Sequence, residues 1–166
     1  MPREKIEKPK LIAVEGNDEV EFFNVLLKHL GFDGSDFQIE NLEGKGNYNY
    51  EIPALINKPG FNKVTAFLII HDADKSDEDA FKKIVNIFER LSKDLEPPKQ
   101  KDTFSDGNPR IGIFIMPGNA NEGMLEDLCL KTVEDHPVME CVNGFINCIS
   151  ELKNHSREMQ QKRLIL

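Results

Sequence analysis

Ala66-Phe67-Leu68-Ile69-Ile70-His71-Asp72-Ala73-Asp74 is the stretch that decides the fold. Five apolar residues in a row have no polar face, as in a strand covered by helices on both sides. The run then stops abruptly at two carboxylates. In open α/β sheets, ligands collect at the carboxyl ends of parallel strands. Acids placed together there repel each other unless a hard cation such as Mg²⁺ or Mn²⁺ neutralises them. Asp72 and Asp74 could instead cap the following helix, but Ser76 is better placed to do so, and the acid pair then needs another explanation.

Working outward, the same pattern recurs upstream. Lys10 to Val14 reads as a short buried strand ending in Glu15, and Gly16 allows a tight turn or a close backbone approach before a helix. Asp18 can cap that helix, Val20, Phe23, Leu26, Leu27 and Leu30 form its apolar stripe, and Gly31 ends it. Phe37 to Leu42 alternates as a second strand and leads into the turn Glu43-Gly44-Lys45-Gly46-Asn47, with a short helix expected around Tyr50 to Asn57.

Downstream of the acid pair, Ser76 to Leu95 has a helical apolar face and an acidic first turn. Glu96 to Pro109 is a long polar loop with consecutive prolines. Arg110 to Met116 is another strand without a polar face, and helices are expected over about Gly123 to Thr132 and Val138 to Leu152. The alternation predicts an α/β fold with about four strands in a mainly parallel sheet, flanked by helices and joined by right-handed crossovers. Glu15 and Asp72 then share one sheet edge.

The 166 residues, 39% hydrophobic and 30% charged, fit one domain over residues 1–152 with a helical C-terminal tail over 153–166. The tail ends on Leu164-Ile165-Leu166. An apolar terminus of that kind docks on the domain, meets a protein partner or a second copy, or marks a chain cut short. No stretch approaches the about 20 apolar residues of a membrane span, and Met1 to Lys10 lacks a signal-peptide apolar region, so a cytoplasmic protein is expected. Cys129, Cys141 and Cys148 with His136 lack the paired close spacing of zinc sites and read as buried thiols in a reducing compartment. A formal net charge of −8 argues against a simple nucleic-acid binder, although two bound divalent cations would roughly halve it.

Leu11-Ile12-Ala13-Val14-Glu15-Gly16-Asn17-Asp18-Glu19 together with Phe67-Leu68-Ile69-Ile70-His71-Asp72-Ala73-Asp74 resembles the Toprim superfamily, in which a Glu follows the first strand and Asp-x-Asp the third. With Gly123-Met124-Leu125-Glu126-Asp127-Leu128 after the last strand, the chain is similar to small stand-alone Toprim-like proteins near the OLD-family nucleases. The resemblance covers about residues 10 to 130. It implies a Mg²⁺- or Mn²⁺-dependent nuclease or phosphodiesterase, with Glu15 and Asp72 at a first metal site, Glu19 as an additional ligand, and Asp74 and Glu126 at a second. Gly16 would let substrate phosphate approach, and Lys45 and Lys75 are candidate phosphate contacts. Two such ions can stabilise the attacking and leaving oxygens at phosphorus.

Other readings stand beside these. Glu19 also suits a helix N-terminus, and Glu122 and Asp127 compete with Glu126. Strand alternation points His71 away from Asp72, as a structural histidine. Ser76 stands where topoisomerases and primases carry a further acid, and neither Tyr48 nor Tyr50 sits in the context of a strand-transferring nucleophile. Asp72-x-Asp74-x-Ser76 also approaches the nucleophile motif of haloacid-dehalogenase-like phosphatases, but lies on the third strand rather than the first. A non-catalytic, regulatory metal-binding module acting with a partner is the alternative to an enzyme.

Overall fold

The computed structural model describes residues 5–32, 34–44, 46–91, 95–118 and 120–163, with side chains as far as 153. Lys45 and the tripeptide Leu164-Ile165-Leu166 lie outside the described residues. Along the chain run β1 (Lys10–Val14), α1 (Asn17–His29), β2 (Phe37–Asn41), α2 (Tyr48–Ile56), β3 (Ala66–Asp72), α3 (Asp77–Glu89), β4 (Thr103–Phe104), β5 (Arg110–Met116), α4 (Leu125–Lys131) and α5 (Val138–Arg163). The α/β architecture expected from the sequence is the one observed.

The sheet order is β2-β1-β3-β5-β4. β1 pairs in parallel with β2 and β3, and β3 in parallel with β5, so the two strands that end in acids are neighbours pointing the same way. The register sets Ala13 beside Ile69 and Asp72 beside Met116. β4 is a fifth, antiparallel strand inside the segment expected to be a loop. Two residues give no periodicity to read. Nearby, Lys101 is ion-paired to the buried Asp77 at the start of α3, which ties this segment to the helix after the acid pair.

Successive residues of a strand point to opposite faces, and the sheet has a different cover on each. On one face Leu11, Ala13, Phe67, Ile69, Ile111, Ile113 and Ile115 pack against α2 and α3. On the other, Ile12, Val14, Ile70 and Met116 meet Phe23 of α1 and Leu125, with Leu68 and Phe114 half-buried beside them. Ser76 caps α3 as expected, accepting from the Asp79 amide at 3.2 Å. Gly16, not Asp18, is the cap residue of α1, and it makes no side-chain hydrogen bond; Asp18 lies in the first turn, where its charge complements the helix dipole.

The chain divides into two compact units, one up to Leu128 and one from Cys129. The second contains α5, which runs unbroken through the expected 152/153 boundary. Val142, Phe145, Ile146 and Leu152 on this helix are exposed. Cys129, Cys141 and Cys148, expected to be buried, are exposed free thiols. No described helix is long and apolar enough to cross a membrane.

Candidate functional site

Glu15 continues β1 and Asp72 ends β3, so backbone pairing alone brings their Cα atoms to one edge. Both are buried, at 6% and 5% exposure, although a carboxylate is ordinarily a surface group. Two residues beyond the Ala13–Ile69 pair, the same register sets Glu15 beside His71. Oε2 of Glu15 lies 3.4 Å from Nδ1 of His71, and neither atom has a hydrogen-bond partner among the described residues. Burying a charged acceptor without a donor costs free energy, and a bound cation is one way to offset it.

The loop carrying Asp74 is pinned by backbone bonds. The Ala73 amide donates to the Met116 carbonyl at 2.9 Å, and Asp74 and Gly123 exchange amide-to-carbonyl bonds at 2.9 and 3.0 Å. The Asp77 amide donates to the Asn121 carbonyl at 2.8 Å. Asp74 is left-handed, with φ 52°, a conformation that Asp and Asn tolerate better than most residues. Gly123 has φ 126°, and a Cβ there would fall 2.9 Å from Oδ2 of Asp127 and 3.1 Å from the Pro117 ring, so the tight approach of the two loops needs a glycine.

Tyr48, at the start of α2, reports how the acids are grouped. Its ring is wholly buried and stacked on His71, centroids 4.4 Å apart at 18°, and its hydroxyl donates to the Ile70 carbonyl at 3.4 Å. Burial first, and then the charges of Glu15, Asp72, Glu19 and Asp74, push its phenol well above the ordinary range. Glu19 folds back over Gly16, whose Cβ would lie 3.0 Å from Oε2 of Glu19. Gly16 is extended, φ −144°, a backbone open to any residue, so its value there is room rather than a turn.

An opening of about 600 Å³ lies beside the edge, lined by His71, Asp72, Asp74, Lys75, Ser76 and Lys83 among others. Lys75, for which the sequence suggests a phosphate contact, borders this opening. Glu126 does not: it is exposed on α4, and neither lines the opening nor acts on Tyr48. Its neighbour Asp127 accepts from the Met124 amide at 2.9 Å. Among the described residues no group of three or more His, Cys, Asp or Glu side chains forms a ready metal cage. The donor chemistry, all carboxylate oxygen with one buried oxygen unpartnered, matches a hard divalent cation, while the arrangement is open rather than closed.

A family model described as a protein of unknown function, DUF3226, matches residues 9–166. The chain belongs to that family. The matched span begins one residue before β1 and runs through α5, so every strand and helix named above in this DUF3226 chain falls within it. No curated protein matches the chain, and no solved structure does.

Two residues gain a place in the site that their sequence context did not give them. His71 was expected to face away from Asp72, and alternation does put it on the other face, but that is the face of Glu15 and Tyr48. The signal lay in register: with Ala13 beside Ile69, Glu15 must stand beside His71. Lys83 borders the inward stripe of α3 and reaches His71, with Nζ 3.5 Å from Nε2. Nothing in the sequence distinguishes it from the exposed Lys82 next to it.

Proposed function

We propose that this chain is a Mg²⁺- or Mn²⁺-dependent phosphodiesterase acting on nucleic acid in the cytoplasm, with Glu15, Asp72 and Asp74 as its principal ligands and Glu19 in support. The observation that carries the reading is the burial of Glu15 and Asp72 at the neighbouring ends of β1 and β3, with Asp74 pinned beside them by its backbone bonds to Gly123. It agrees with the Toprim-like order of motifs in the sequence. Bound divalent cations would supply Lewis-acid stabilisation of the phosphoryl oxygens. The chain supplies the rest. Asp72 and Asp74 border the opening, and Lys75 and Lys83 offer positive charge to a phosphate there. A tyrosyl intermediate is disfavoured, because Tyr48 is buried with its phenol held protonated, and Tyr50, 77% exposed, is not among the residues bordering the opening.

The second reading is a regulatory metal-binding module. It is favoured by the open ligand arrangement among the described residues and by the net charge of −8, which leaves nucleic-acid contacts to a partner. The exposed apolar side chains of α5 suit such a protein partner or a second copy.

The experiment is incubation of purified protein with Mn²⁺ and single- and double-stranded DNA and RNA, beside an Asp72→Asn, Asp74→Asn double variant. The phosphodiesterase reading expects cleavage of at least one substrate by the wild type and none by the double variant. Equal cleavage by both defeats it, and metal binding without cleavage transfers the assignment to the regulatory module.

A further inference from the structure

The opening beside Asp72 and Asp74 has the dimensions of a small-molecule site. Its about 600 Å³ falls within the roughly 300 to 1,000 Å³ usual for such sites. The described lining is drawn from the stretch 71–83 and from Met124, so the opening is confined to the end of β3, the turn after it and the start of α3. Ala80 and Met124 give it an apolar wall, and a thioether packs well against the flat face of a base.

Positive charge is scarce around it. Among the described residues, Lys75 and Lys83 are the cations that line the opening. Other lysines are engaged with carboxylates: Lys10 with Asp36, Lys58 with Glu40, Lys82 with Glu78 and Lys101 with Asp77. The helices that begin at this edge add negative charge, with Asp18 and Glu19 in the first turn of α1 and Asp77, Glu78 and Asp79 in that of α3. A protein that holds a polynucleotide neutralises a run of phosphates with a track of Lys and Arg. A strand continued past this opening would instead carry its phosphates beside acidic turns. A single diester meets two lysines and goes no further.

We infer that the site takes a short phosphodiester, of dinucleotide size, in preference to a long strand: Lys75 and Lys83 receive the scissile phosphate, and Ala80 and Met124 the neighbouring base. The inference rests on the phosphodiesterase reading above and narrows its substrate class. Water supplies the new P–O bond, the P–O bond to one ribose breaks, and the departing oxygen takes a proton, so a dinucleoside monophosphate yields one nucleoside and one nucleotide. A longer strand enters only by its terminal nucleotides.

The test compares DNA and RNA oligomers from a dinucleotide to about 20 nucleotides on the full chain. With Mn²⁺, kcat/KM should be highest for the dinucleotide and about tenfold or more lower for the longest oligomer. Binding is read separately, by NMR titration of the Asp72→Asn, Asp74→Asn double variant. The logarithm of its affinity for the longest oligomer should fall against the logarithm of salt concentration with a slope no steeper than about 1.4, the value for two phosphate contacts. Adding Lys83→Met should weaken dinucleotide binding by about tenfold or more, the worth of one charge-assisted hydrogen bond. A kcat/KM as high for the longest oligomer as for the dinucleotide, a steeper salt slope, or dinucleotide binding indifferent to Lys83→Met overturns the short-substrate inference and leaves the phosphodiesterase reading standing. Dinucleotide binding that depends on Lys83, in a protein whose wild type cleaves no length, upholds the ligand class while defeating that reading. A chain that neither binds nor cleaves any of the oligomers defeats both.

Discussion

The face of the sheet under α2 and α3 buries Phe67, Ile69, Ile111, Ile113 and Ile115 almost completely, whereas the face under α1 leaves Leu68, Phe114 and Ile39 half-buried. Strands β3 and β5 supply both faces from uninterrupted apolar runs, so the difference comes from what covers them rather than from their own residues. It also sorts the chemistry at the strand ends. The densely covered face delivers Glu15, His71 and Tyr48 as one packed polar group, and alternation places Asp72 with Ile70 on the thinner side.

The largest expected effect tests that contrast on adjacent residues. Ile69→Ala should cost about 4 kcal/mol, in the range for fully buried large-to-small changes, while Leu68→Ala, half-buried on the thinner face, should cost about 2 kcal/mol or less. Urea unfolding of both variants gives the two values, and equal losses would break the comparison. A smaller effect should separate the strand-end acids. In the metal-free protein Glu15→Gln should stabilise by about 1–3 kcal/mol, because it removes a buried charge with an unpartnered oxygen. Asp74→Asn, exposed and in a left-handed conformation that Asn shares, should stay within about 0.5 kcal/mol. Destabilisation by Glu15→Gln would show that the contact with His71 outweighs the burial of the charge.

Much of the fold was legible because the apolar runs 10–14, 66–70 and 111–116 end abruptly and alternate with helical stripes. The fifth strand was not, since Thr103–Phe104 is held by its pairing with β5 and has no pattern of its own. In the site, Glu15, Asp72 and Asp74 stood out because acids closing buried strands are costly. His71 needed the register of β1 against β3, and Lys83 needed the placement of α3 over the sheet, both of which are tertiary facts. Which of Glu122, Glu126 and Asp127 turns toward the edge depends on how the loop after β5 is pinned by Gly123, again invisible before folding. The cysteines were misjudged because the helical apolar spacing of α4 and α5 marks a face without saying what covers it.

The most direct test of the sheet-edge metal site is a thermal-unfolding titration with Mn²⁺ of the wild type and of Asp72→Asn. Binding only to the folded state should stabilise the wild type by about 2.7 kcal/mol at a hundredfold excess over the dissociation constant, read as a rising melting temperature, and Asp72→Asn should show no rise. A wild type indifferent to Mn²⁺, or an equal rise in both proteins, would contradict the account: the first removes the ion and the second places it away from Asp72.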